Sequence, residues 1–362
     1  MNPAAMQAAA NMTPEQAQEM LDQMSPEERE KARQMQETMR KAGLDLAHLV
    51  QTLKPSDEDP DAEVSLVNLC RAFATAPAMQ ALGTDEKQLL GPTLEYSVAK
   101  DALSKVEDKL EELGALKTDE LNDMENETHW RNVVLTLWHM WKLAADDAFV
   151  ETLPGELDYW RQGANQTVTQ LLIKCQMLMP QQRWVQVTLA IASMSALMAN
   201  ALWSHTDPKA LTKMAEVISN DGLLQPKLCC TASAVWKESP SSNEVPAGQQ
   251  VLVNVELVRE HASEEGSEQP KCNNPQDIYE AYWLYVEGIK PQGTANSLIV
   301  AKPMVVKDVT QKVVTGTAIF LAPPDPAVYK LRIYITSTSV IGIHLKAECQ
   351  FVVVEDDVPD LE

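Results

Sequence analysis

The side chains in this 362-residue chain that could do acid–base, nucleophilic or metal chemistry are six histidines, six cysteines and 52 carboxylates. Their spacing does not assemble a reaction centre. His129 and His139 stand ten apart in a Trp-rich run with no carboxylate at ligand spacing, so a structural role is expected for both. His344 falls in a strand-like run with no Ser or Cys nucleophile pattern beside it. The acid pairs Asp146-Asp147 and Glu264-Glu265 read as solvated surface rather than as a general acid and base. Trp130, Trp138, Trp141, Trp160, Trp184 and Trp203 lie at helical positions, the pattern of a bundle core rather than a base-stacking platform. The chain has neither G-x-G-x-x-G nor G-x-x-x-x-G-K-[ST], the motifs that bring backbone amides to a phosphate. The reading is therefore of a chain that is not an enzyme, with no catalytic residue, no cofactor and no metal ligand set.

The cysteines Cys70, Cys175, Cys229, Cys230, Cys272 and Cys349 are scattered, which suggests reduced, buried thiols in a cytosolic setting. Sequons at Asn11, Asn126 and Asn165 would matter only in a secreted chain, and residues 1–15 lack the layout of a signal peptide. The formal net charge is −22, from 52 acidic and 30 basic residues. That surface opposes nucleic acid and anionic lipid and suits basic protein surfaces. Trp184 to Ser204 carries no charge, but its Gln186, Thr188, Ser193, Ser195 and Asn200 and its many alanines point to a buried helix rather than a membrane span.

Elements follow from periodicity. Residues 1–53 form a Met-rich helical leader holding seven of the 16 methionines in its first 40 positions. Two helix starts, Thr13-Pro14-Glu15-Gln16 and Ser25-Pro26-Glu27-Glu28, share a capping hydroxyl and Pro at the first helical position. In the second helix Ala32, Met35, Met39, Ala42 and Leu46 mark an apolar face that either packs on the body or serves as an adaptable binding face. An acidic linker spans 54–63. A helical bundle over 64–224 contains helices from Val64 to about Ala76, Thr93–Leu113 (apolar face Val98, Ala102, Val106, Leu110, Leu113), Asn126–Ala145, Asp158–Met179, Trp184–Trp203 and Pro208–Ser219. The period then changes to two. Lys227–Trp236, Gln249–Val258, Tyr282–Val286, Ser297–Ala301, Met304–Val309, Val313–Leu321, Val328–Thr336 and Ile343–Val354 are strand-like, with a Ser- and Pro-rich loop over Glu238–Gly248. Residues 225–355 read as an immunoglobulin/fibronectin-like β-sandwich of about seven strands, followed by an acidic tail, 356–362. The fold class is α+β, multidomain: a helical bundle, then a sandwich.

One stretch is more specific. Tyr282-Trp283-Leu284-Tyr285-Val286, then Leu321-Ala322-Pro323-Pro324-Asp325-Pro326-Ala327-Val328-Tyr329, then Ser337-Thr338-Ser339-Val340-Ile341-Gly342 resemble the aromatic strand, proline-rich corner and serine loop of the Sec-sixty-three domain. Val133–Leu143, Leu157-Asp158-Tyr159 with Leu171-Leu172-Ile173, and Gln186–Trp203 resemble that family's bundle, so the likeness covers roughly residues 64–355. The family is the C-terminal module of the J-protein subunit of the endoplasmic-reticulum translocon and also occurs in spliceosomal-type helicases. Trp283, Tyr285, Pro323, Pro324, Tyr329 and Gly342 are its fold signature here, expected to shape the sandwich core and corner. The chain departs from the pattern at Tyr282, at Ala327 (usually Gly) and at Ser337-Thr338-Ser339. The resemblance implies a non-catalytic subunit on the cytosolic face of the endoplasmic reticulum that assists post-translational translocation by touching the channel and accessory subunits. It implies partner binding through the acidic end, Glu355, Asp356, Asp357, Asp360 and Glu362. No His-Pro-Asp occurs, so chaperone stimulation does not carry over; a J-domain and spans would lie upstream if Met1 were an internal start. The alternative is a cytoplasmic adapter using the same domain in a ribonucleoprotein or helicase-associated assembly.

Overall fold

The computed structural model describes residues 25–56, 58–82, 96–124, 126–220, 226–262, 280–291, 294–306, 308 and 310–355. The helix start at Thr13, the side chains of Ala32, Met35 and Met39, the pair Glu264-Glu265, Cys272 and residues 356–362 lie outside what is described.

Among the described residues nine α-helices come first and eight strands follow, an α+β chain. The helices are α1 (Pro26–Thr52), α2 (Leu66–Ala74), α3 (Pro77–Gln80), α4 (Tyr96–Glu112), α5 (Glu127–Trp141), α6 (Asp147–Glu151), α7 (Glu156–Leu178), α8 (Val185–Asn200) and α9 (Pro208–Asn220). Caps set several starts. Ser65, Asn126 and Asp146 each accept backbone N–H bonds from the first turn of the helix that follows. Asp146 and Asp147 are exposed, as expected, and Asp146 also caps a helix and pairs with Lys109.

Buried polar groups tie the helices together. Asp45 of α1 accepts from the backbone N–H of Ala78, and Leu49 and Leu53 enter the same core as α2, α5 and α7. Asn132 of α5 donates to the Met79 carbonyl at 2.9 Å. In α4 the buried face is Ala99, Ala102, Leu103, Val106 and Leu110, while Val98 is exposed. Ala102, Val106 and Leu110 are thus buried as expected, while Ala99 takes the place of Val98 at the start of the stripe and Leu103 widens it.

The strands are β1 (Leu228–Trp236), β2 (Glu244–Pro246), β3 (Gln250–Arg259), β4 (Ala281–Ile289), β5 (Ser297–Val305), β6 (Val313–Leu321), β7 (Val328–Thr336) and β8 (His344–Val354). They form two sheets, ordered β1-β3-β6 and β2-β8-β7-β4-β5. All pairings are antiparallel except β2 with β8. The sheets meet through their inner faces: Phe320 of β6 lies edge-on to Phe351 of β8 at 5.9 Å, and a Cβ on Gly316 of β6 would collide with Met304 Sδ of β5.

Two strand expectations are corrected. Ser297–Ala301 and Met304–Val309 are one strand, β5, which runs through Lys302 and Pro303 because an edge strand can lose an N–H donor on its open side. The loop over Glu238–Gly248 contains the short strand β2, which pairs beside the end of β8.

Candidate functional site

The aromatic strand β4 alternates between two environments. Tyr282, Leu284 and Val286 face the other sheet. Trp283 and Tyr285 face outward, stacked nearly parallel with centroids 5.9 Å apart. They meet α8 there: Val185 and Ala192 of α8 bury against Tyr285 and Leu298, with Leu189, Trp283, Ala301 and Tyr334 around them. The signature aromatics were expected to shape the interior of the two sheets. They instead form the seam between helices and sheet, because period-two alternation sends neighbours 282 and 283 to opposite faces.

The same helix is buried on its other side through Val187, Ile191, Met194 and Leu197, in the core shared with the other helices. Two of its hydroxyls bond back to its own carbonyls. Ser195 Oγ donates to the Ile191 carbonyl and accepts from Gln176, and Thr188 donates to the Trp184 carbonyl. No helix among the described residues is long and apolar enough to cross a membrane.

Polar contacts reinforce the seam. Asn200 at the end of α8 donates to the Ser339 carbonyl at 2.8 Å, and the Leu298 N–H donates to the Arg183 carbonyl. His205 accepts from the Gly342 N–H at 3.1 Å through Nδ1, so its Nε2–H donates to the Ser193 carbonyl at 3.2 Å. The His344 ring stands edge-on to it at 4.4 Å. Burial, and then His344, push the His205 pKa down to about 4. Gly342, a fold-signature residue, has φ +80°, which only glycine adopts without strain, and Leu211 packs beside it. His139, also expected to be structural, donates to the Met198 carbonyl at 2.9 Å through Nε2 and takes an Arg161 N–H on Nδ1. Its pKa is likewise pushed to about 4, first by burial.

Two buried carboxylates, neither singled out by spacing in the sequence, organise the sheets. Glu287, on the outer face of β4, accepts from Asn296 Nδ2 and Tyr334 OH at 2.8 Å each, with Arg332 at 3.4 Å. Burial, and then Glu287, push the Tyr334 phenol up to about 12. The Asn296 N–H in turn donates to Asp61 of the acidic linker, so the linker is tied to the sheet. Glu280 precedes β4 and accepts from Arg259 Nε at 3.0 Å, from His261 at 3.3 Å and from Tyr282 OH. Burial alone would raise its pKa; the hydrogen bonds from His261, Arg259 and Tyr282 outweigh that and hold it at about 2. A missed signal for Glu287 was a lone acid inside an otherwise apolar strand, which at that depth must be paired.

At the proline-rich corner, Tyr329 OH donates back to the Asp325 carbonyl at 2.9 Å, and its ring stacks on Phe351 at 5.6 Å. Pro323 and Pro324 lead into this turn between β6 and β7. Glu355 is exposed just past β8; the rest of the expected acidic partner site is outside the described residues. Among the described residues no three His, Cys, Asp or Glu side chains come together as a metal site.

No family model matches the chain, and no curated protein does. A solved structure that it matches is the alkylpurine DNA glycosylase AlkC of Pseudomonas fluorescens bound to DNA containing an abasic-site analogue. That match has 11% identity, covers 72% of this chain and 68% of that one, and has a TM-score of 0.23. Two expectations are corrected against it. The matched protein is an enzyme and is held on DNA, so neither "not an enzyme" nor "no nucleic acid" stands as a property of this chain. At that TM-score the likeness carries neither glycosylase activity nor DNA binding to it.

Proposed function

We propose that this chain is a translocation subunit of the Sec-sixty-three type, a helical bundle joined to a fibronectin-like sandwich that assists post-translational transport into the endoplasmic reticulum by protein contacts. The observation that carries the proposal is the seam. Trp283 and Tyr285, two residues on which the resemblance rests, dock α8, and Tyr329 closes the corner after Pro323 and Pro324 by bonding back to the backbone four residues upstream. The sheet orders β1-β3-β6 and β2-β8-β7-β4-β5 support a fibronectin-like sandwich. A body of this kind presents strand edges and loops held at fixed angles to the helices, and its net charge of −22 favours basic partner loops. The test is affinity purification of the tagged full chain from gently solubilised microsomes of its own cells. Recovery of the translocon channel with the chain is expected. A diffuse cellular distribution with no channel subunit recovered would sink the proposal, and recovery of ribonucleoprotein or helicase factors instead would establish the adapter reading.

A further inference from the structure

A sheet edge exposes unpaired backbone N–H and C=O groups, and folded proteins protect it with short strands, proline, charge or a covering element. Three of the four edges here are protected in these ways. β2 is three residues long and ends in Pro246. β5 carries Lys302 and Pro303 in mid-strand. β1 runs alongside β2 and β8 of the facing sheet, a much fuller cover than the approach of β5 to β6. The fourth is different. β6, VVTGTAIFL, is nine residues long with no proline and no charge, and among the described residues its ladder is to β3 alone. Its inward positions Val314, Gly316 and Ala318 are buried. Its outward positions are Val313, Thr315, Thr317, Ile319 and Leu321, and Val313, Ile319 and Leu321 are 41%, 46% and 66% exposed.

The outward face is its own complement. An antiparallel pair about a twofold axis at Thr317 sets Thr317 opposite Thr317, Thr315 opposite Ile319 and Val313 opposite Leu321. These are β-branched and aliphatic pairs of the kind that stabilise a ladder. In a chain of net charge −22, an acidic residue near that axis would be brought beside its symmetry mate and repel it; β6 has none. A basic foreign strand would instead be drawn by acids flanking the edge. The outward rows of this sheet carry one carboxylate, Glu256, which stands opposite Thr315 in a face otherwise built of Cys229, Val258, Asn254 and similar neutral residues.

We infer that β6 is a homotypic edge: two copies of the chain pair β6 to β6 about a twofold and form one continuous six-stranded sheet. The interface is isologous, so it closes at a dimer. This does not depend on the translocation proposal. The net charge of each copy opposes association and is screened by salt, so dimerisation strengthens from low to high ionic strength.

Sedimentation velocity of the full chain over a concentration series at low and high salt is the first measurement, with a dissociation constant that falls as salt rises as the expected result. Thr317→Lys and Ile319→Lys each raise that constant at least about tenfold, with circular dichroism and melting temperature unchanged because both side chains point outward. Oxidation adds a register test. Thr317→Cys brings two thiols together at the axis and gives a covalent dimer, whereas Thr315→Cys, facing Ile319, does not, and wild type controls for Cys229. A chain that is monomeric at every concentration and salt overturns the inference. So does a dimer that survives both Lys substitutions, or cross-linking of Thr315→Cys as readily as Thr317→Cys. A chain that stays monomeric yet binds a synthetic lysine-flanked Val-Thr-Val-Thr-Val peptide is an acceptor for foreign strands, which also overturns it.

Discussion

Glu287 is a fully buried carboxylate whose cost of desolvation is offset by three donors, two of them neutral. Removing it leaves Tyr334 OH and Asn296 without their acceptor inside the seam. Glu287→Ala should therefore lower stability by about 3 kcal/mol, and Glu287→Gln, which keeps an acceptor oxygen, by less; urea unfolding of the two variants checks the ranking. Tyr329→Phe deletes only the corner bond to Asp325, at a rim position, and should cost about 1 kcal/mol or less in the same assay. His205 gives a pH dependence with a definite sign. Its folded pKa is held near 4 while the unfolded value is that of a free imidazole, 6.5, so between these values the unfolded chain binds the extra proton. Stability is full above about pH 6.5 and falls as the pH drops through that window, by of the order of 3 kcal/mol in total for such a shift. His139, with a similarly low pKa, adds to the slope in the same direction. Unfolding midpoints measured from pH 7 to pH 4.5 should fall steadily, and His205→Gln should flatten the curve. A curve equally steep in the variant would show that His205 does not carry the effect.

At the scale of elements, α8 shows what a sequence reveals and what it hides. Twenty-one uncharged residues containing Ser, Thr and Asn read correctly as a buried helix, since those hydroxyl and amide groups can bond back to helix carbonyls. Which two surfaces bury it was not legible, because a helix apolar all round has no directional signal. Strands β6 and β7 were read residue for residue from alternation, since each has one buried face. β5 was split in two because Lys302-Pro303 mimics a turn, and only its place at a sheet edge explains why it is not one. Val98 fits the sequence's apolar stripe as well as Ala99 does, because a period of 3.6 does not distinguish two apolar neighbours at a helix start. Trp283 and Tyr285 were recognisable as a motif, but their outward direction depends on what covers the sheet, which is decided by contacts about 90–100 positions away in the chain. Tyr285→Ala removes the largest fully buried side chain in the seam and should cost about 3–5 kcal/mol. It should also raise hydrogen exchange in α8 relative to β6, measurable by mass spectrometry.

At the scale of the whole molecule, one apolar cluster runs from Leu49 in α1 through Trp203 and Met214 to Ile341 and Phe351. Helices and sheets should therefore unfold in a single transition. Six of the eight tryptophans were placed with the helices by sequence, so fluorescence should report mainly the helical part. Helix ellipticity, fluorescence and exchange protection of β7 should share one urea midpoint in wild type and separate in Tyr285→Ala. The division between a period of 3.6 and a period of two was plain in the sequence; the continuity of packing across it was not, because it is made by single residues such as Asn200, His205 and Asp61 reaching across.

The double burial of α8 also has a mechanical meaning. A pull applied past Val354, at the end of β8, is passed along the β8–β7–β4 ladder to Tyr285 and from there into α8 before any loop can stretch. The hydrogen bonds of that ladder are loaded in shear, all at once, rather than opened one at a time. The described body should then behave under tension as one stiff unit, yielding in one step at high force where a pair of loosely tethered units would extend in two.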